Sequence, residues 1–317
     1  MIAAILALAL SVGAPSDQTS TQPVSPSRED QAVRLEDIQV TGRRLDSLIE
    51  SFVGEVAAPN RGRGIARWDR SVCVGAVNLR RDVAQYLVDR VSTVAEDQGL
   101  NAGDPGCAPN LLIVGTADGD AFARELVGKR RRTLRMGGTG MDRGAAALRD
   151  FQDASRPVRW WQISMPTDSE TGQRAIRLPG ECTNACSGPM NYAPVINVAS
   201  ASRLSTQIID NIFRAIVVVD VTKMGGVNSA QLADYIAMVS LAQIDPNADT
   251  SAYASILNVF SDPNSAASLT EWDKAYLEGL YDAQRTQKNL RAGTTEIESS
   301  IRRAHSRLAA EPETTTD

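Results

Sequence analysis

Apolar residues Leu45, Leu48, Ile49, Phe52 and Val56 recur at three- and four-residue spacing in "RRLDSLIESFVGEV", which predicts a helix with one buried stripe that stops at "AAPNRGRG". "RRDVAQYLVDRVSTVAEDQGL" repeats the pattern through Val83, Leu87, Val91, Val94 and Ala95, with Gly99 as its stop. Between and after these helices the period shortens. "IQVTG" and "IARWDRSVCVGAVNL" predict short strands, and "NLLIVGT" a buried one followed by a short helix begun by Asp118. "PVRWWQISMP" alternates from Val158 to Met165, placing Trp160 and Ile163 on opposite faces, and "FRAIVVVDV" is the most strand-like run of the chain.

Three helices are expected after that run. In "GVNSAQLADYIAMVSLAQIDP" Asn228 caps while Gln231 reaches back, and Leu232, Tyr235, Ile236 and Val239 form the stripe of a half-buried helix. Thr270 and Asp273 make a second capping box, and a third helix is expected to start at Thr295 and bury Ile297, Ile301 and Leu308. The resulting class is α+β (mixed α/β): N-terminal strand-helix units, a central and largely antiparallel sheet suggested by consecutive strands, and a three-helix C-terminal end.

The first residues change the picture. Ile2 to Val12 form an apolar run too short to span a bilayer but of the length of a signal-peptide core, although no basic residue precedes it. Residues 1–16 are therefore expected to be a signal peptide, 17–34 a Ser/Thr/Pro-rich disordered linker, 35–310 a single globular domain and 311–317 a disordered tail. A periplasmic or secreted location follows. No transmembrane anchor is expected.

Four cysteines fit export, because an even count in an exported chain favours disulfides. Cys73 and Cys107 flank the second predicted helix and could tie its ends, while Cys182 and Cys186 would close a small ring in a Pro/Gly loop. Using the latter pair as a zinc site would require all four cysteines to converge, and C-x-x-x-C in such a loop is a poor redox motif. No metal and no cofactor are expected.

Charge and histidine count remove whole classes of function. A net charge of −5 argues against a nucleic-acid binder, whose phosphate contacts need a basic surplus. With His305 as the single histidine, no H-E-x-x-H site exists, and its neighbours Arg302, Arg303 and Arg307 place it on an expected exposed, basic face. There is no G-x-S-x-G elbow, S-x-x-K dyad or P-loop. Carboxylate chemistry is left, with Asp220 at the end of the apolar strand and Asp234 on the flank of the capped helix as the least ordinary acids. The competing reading makes both of them edge-of-core acids with backbone or arginine partners. "KRRRTLR" sets five positive charges, Lys129, Arg130, Arg131, Arg132 and Arg135, in seven residues. That tract suits contact with an anionic envelope surface, lipid or glycan phosphate, or else is a solvated charged loop.

Five segments, "IARWDRSVCVGAVNL", "CAPNLLIVGTADGD", "AIVVVDV", "QLADYIAMVSLAQI" and "SILNVF" followed by "LTEWDKAYLEGLY", together resemble a family of exported, functionally uncharacterised alphaproteobacterial proteins over roughly Ile38 to Ala283. More distantly, the C-terminal half is similar to secreted metallopeptidase-like proteins. That resemblance implies that Gln231, Asp234 and Tyr235 mark a degenerate site, with no zinc activity carried over since the histidines are missing. Taken together these features predict an envelope-associated binding or scaffold protein more than an enzyme. The alternative is a divergent metallopeptidase-like hydrolase acting on envelope peptide or glycan.

Overall fold

The computed structural model describes residues 44–135, 140–176, 195–198 and 202–310. The expected signal peptide, linker, tail, "IQVTG" strand and Cys182–Cys186 ring lie outside them. The described residues from Leu45 onward pack as one unit.

The helix α1, over residues 44–56, buries the predicted Ile49, Phe52 and Val56. Two short strands follow, β1 (Ser71–Val72) and β2 (Val74–Val77), then α2 (Arg81–Asp97), β3 (Asn101–Ala102) and β4 (Leu111–Thr116). Next come α3 (Gly119–Leu134), α4 (Gly144–Asp153), β5 (Val158–Asp168) and β6 (Ile208–Asp220). The C-terminal part consists of α5 (Ser229–Leu241), a 3-10 turn (Ile256–Asn258), α6 (Glu271–Asp282) and α7 (Leu290–Leu308).

The fold is α+β with a helical C-terminal end. Its main sheet has the order β2-β4-β6-β5. The longest ladder, β5 with β6, is antiparallel, as consecutive strands suggest, whereas β2, β4 and β6 run parallel because helical crossovers separate them. Alternation along each strand divides the core in two. Leu111, Ile113, Trp160, Val217 and Val219 pack with α1, α2, α5, α6 and α7; Trp161, Ile163, Met165 and Val218 pack with α3 and α4. Both adjacent tryptophans are thus buried, one in each core.

Two boundaries and one burial pattern differ from expectation. Helix α3 continues across a kink at Arg130 into the basic tract, so that tract is a helix surface, not a loop. Helix α7 starts at Leu290, capped by Asn289, which places Thr295 inside it; the Asn289 side chain accepts the Arg291 N–H and Gly293 does not break the turn. Helix α5 is buried on nearly every side, from Gln231 to Asp234 and Ile236 to Leu241, because α2, the sheet and the C-terminal segments all cover it. The apolar run Ile236 to Val239 is the sequence form of such burial, and buried Gln231, Asp234 and Ser240 are hydrogen-bonded.

The C-terminal carbonyls of α5, orphaned by helix geometry, are taken up by neighbouring side chains. Gln162 of β5 donates to the carbonyls of Val239, Ser240 and Ala242, Trp68 donates to Ser240 and Tyr281 to Leu241. These bonds fix α5 against β5 and so set the walls of the cleft between them. At the opposite sheet edge Cys73 and Cys107 are joined, with Cα atoms 6.2 Å apart, closing the α2 unit at both ends as expected.

Candidate functional site

Val158 pairs with Val219, so β5 begins where β6 and the other parallel strands end. Open α/β sheets present ligands at this carboxyl edge. Here a cavity of about 520 Å³ opens between the first residues of β5, helix α5 and the loop over residues 244–265.

Its floor is aromatic. Strand alternation sends Trp160 toward α5, and its indole is fixed by a 3.1 Å hydrogen bond to the Ile244 carbonyl. Tyr235 meets Trp160 at 6.2 Å and 73°, and Phe260, just past the 3-10 turn, meets Tyr235 at 4.9 Å and 85°. Burial pushes the Tyr235 phenol up, so it stays protonated.

The loop is built from short polar turns. Asn258 donates to the carbonyls of Thr250 and Tyr253 and accepts the Thr250 hydroxyl at 2.7 Å. Asp249 accepts from Ser251 and Asp262 from the Asn264 N–H, each closing an Asx turn. Asp245 pairs with Arg143 at 2.9 Å, and Arg156 with Asp150. Asp249 and Asp262, both lining the cavity, have no ion-pair partner among the described residues. Aromatic walls at steep angles beside unneutralised carboxylates form a setting for a cation.

The acids and helix residues singled out from the sequence do not converge here. The Asp234 side chain, 2% exposed, accepts from Arg90 of α2 at 2.6 and 3.3 Å and from the Leu269 N–H at 2.8 Å. Gln231 closes the capping box and donates to the carbonyls of Pro263 and Ala266, pinning the loop that roofs the cavity. Of the three, Tyr235 alone lines it.

Asp220 sits elsewhere on the carboxyl edge. It accepts the Gly119 N–H at the start of α3 at 2.9 Å and both the N–H and hydroxyl of Thr222, with Lys223 at 3.4 Å. Burial disfavours its charge, but the hydrogen bonds from Thr222 and Gly119 outweigh this and hold the carboxyl below its ordinary range. Beside it, Asp120 accepts from buried Arg159 and from Lys223, which hold its carboxyl down to about 2. This network welds α3 to β5 and β6.

On the far face, the basic tract occupies the last turns of α3. Lys129 pairs with Glu125 and Arg135 with Asp142, while Arg130, Arg131 and Arg132 are exposed with no ion partner among the described residues. His305, expected on an exposed face, is half-buried, its ring 4.8 Å from that of Trp272 and its Nε2 without a hydrogen-bond partner. The helix turns it toward α6, away from Arg303 and Arg307.

Among the described residues no group of His, Cys, Asp or Glu is arranged to hold a metal ion. No helix among them is long and apolar enough to cross a membrane. The cavity residues Asp249, Phe260 and Asp262 carry no sequence signal beyond turn-forming neighbours. No family model, curated protein or solved structure matches the chain.

Proposed function

We propose that the protein is an exported, disulfide-stapled binding protein of the cell envelope, without catalytic activity, whose cleft over Trp160, Tyr235 and Phe260 takes an organic cation. The observation that carries this reading is the combination of steeply inclined aromatic walls with the unpaired carboxylates Asp249 and Asp262. A desolvated ammonium gains about 2 kcal/mol over an aromatic face, and nearby carboxylates add to that attraction. The cavity volume of about 520 Å³ suits a small ligand.

Export is supported by the apolar run Ile2 to Val12 and by the Cys73–Cys107 bond, since disulfides persist in oxidising compartments. In the same reading Arg130, Arg131 and Arg132 supply a contact for anionic lipid or glycan phosphate on the envelope. A degenerate metallopeptidase-like ancestry fits too: the cleft persists beside α5 while Gln231 and Asp234 serve structure. The acid/base role for Asp220 and Asp234 draws no support from their geometry, because each is saturated with partners and neither lines the cleft.

Calorimetric titration with spermidine, choline and glucose tests the cleft. The two cations are expected to bind and glucose not to, and the Asp249→Asn, Asp262→Asn double variant, which retains the turn-forming side-chain oxygens, is expected to lose tenfold or more in affinity. Binding of glucose in preference to the cations, or cation binding indifferent to the double variant, would remove the reading.

A further inference from the structure

The opposite end of the β5–β6 ladder holds a second cavity, of about 310 Å³, between the segment after α1, the start of β6 and the α6–α7 connection. Three guanidinium groups reach it from two distant parts of the chain: Arg63 and Arg67 from the segment after α1, and Arg285 from the α6–α7 connection. Their principal carboxylate is Asp210, 12% exposed, which Arg63 engages at 2.9 Å through Nε.

The other two arginines are tied mainly to neutral oxygens. Arg285 donates to the Asp210 carbonyl and, at 2.5 Å, to the Asn211 side chain, and it lies 3.9 Å from the more exposed Asp69. Arg67 donates to the Leu280 carbonyl near the C-terminus of α6 and stands 5.4 Å from the Tyr281 ring centroid. No carboxylate among the described residues lies within ion-pairing distance of Arg67. Burial, with the like charge of Arg285, presses its guanidinium down to about 10.

Buried charges are ordinarily matched, because desolvation costs several kcal/mol per ion. Three guanidinium groups share buried Asp210 and, through Arg285, the more exposed Asp69, which leaves positive charge in excess, and Ile208, Leu290 and Ile297 give the wall apolar patches among polar residues such as Thr206, Gln284 and Lys288. We propose that this cavity binds a small organic anion, its carboxylate or phosphate head held by Arg67 and Arg285 and its apolar body laid against Ile208 and Ile297. A forked guanidinium pair matches either head group, and the volume admits a short alkyl or single-ring body. The site shares no lining residue with the cation cleft and stands or falls separately from it.

Two variants test the proposal. Arg67→Gln removes a head-group contact. Gly293→Leu leaves every arginine in place and fills the cavity from the first turns of α7, where an added Cβ meets only the Gln287 Cβ, at 3.9 Å, and a helix gains propensity on losing glycine. Titrations of the full-length protein use hexanoate, hexyl phosphate, inorganic phosphate and hexanol. At least one alkyl anion is expected to bind more than tenfold tighter than inorganic phosphate or hexanol, to weaken at least tenfold in Arg67→Gln, and to lose binding in Gly293→Leu with the unfolding temperature retained. The tighter of the two alkyl anions identifies the head group. Failure of both to bind the native protein, binding unchanged by Gly293→Leu, or inorganic phosphate binding as tightly as hexyl phosphate overturns the proposal.

Discussion

Arg90 of α2 grips Asp234 of α5 through Nε at 2.6 Å, with the carboxylate 2% exposed and the guanidinium one-third exposed. The pair joins two helices of the larger core, and the same carboxylate holds the Leu269 N–H at the entry to α6. Removing its charge leaves a partly buried guanidinium uncompensated, which costs less than a fully buried break because Arg90 can turn to water. Asp234→Asn is expected to lower stability by about 2 kcal/mol. Chemical denaturation of Asp234→Asn, Arg90→Met and the double variant would measure the coupling, while spermidine affinity should stay as it is.

The Cys73–Cys107 bond spans 34 residues containing the whole of α2. Chain-entropy arguments put its contribution at about 3–4 kcal/mol. A Cys73→Ser, Cys107→Ser variant should therefore show a denaturation midpoint well below that of the oxidised protein, and equal midpoints would mean the native fold gains nothing from the bond.

His305 being the single histidine, its imidazole signal in a proton spectrum is unambiguous. Burial against Trp272 lowers its pKa from 6.5, with Glu271 opposing in part. The sign follows: the unfolded chain takes up a proton near 6.5 that the folded state resists, so stability is fully present above 6.5 and declines as pH falls below it. Titration by NMR should give a midpoint below 6.5, and His305→Phe should flatten that acid-side decline. A midpoint above 6.5 would reverse the argument.

Helix α6 packs tightly against α7 at Gly279. A Cβ there would overlap the backbone N and Cα of Ile301, and backbone cannot swing aside as a side-chain tip can. Gly279→Ala is expected to cost about 2–3 kcal/mol in spite of alanine's better helix propensity. Thermal unfolding would check it; a stabilised variant would show that the two helices can separate freely.

Periodicity made the elements legible wherever local chemistry decides the outcome. Asn228 with Gln231 and Thr270 with Asp273 form the capping boxes read from their spacing, and Asp118 caps α3 as expected. Boundaries failed where a later signal competed: "KRRRT" reads as loop by charge, yet Val127 and Leu134 bury on the inner face and the helix resumes past a kink at Arg130. The two cavities were hidden for another reason. Asp249, Phe260 and Asp262 lie in turns whose sequences resemble any polar loop, and Arg285 is separated from Arg63 and Arg67 by most of the chain.

The sequence by itself determined the α+β class, the helical C-terminal end and, through its single histidine, the exclusion of an H-E-x-x-H site. Spacing and residue counts suffice for those because each is settled within one segment or by an absence in the whole chain. Tertiary structure alone decided that Asp234 answers Arg90, that Gln231 serves a loop, and that Tyr235 faces a cavity. Those outcomes depend on which buried polar group finds a partner across the fold, a pairing set by three-dimensional proximity that no local pattern encodes.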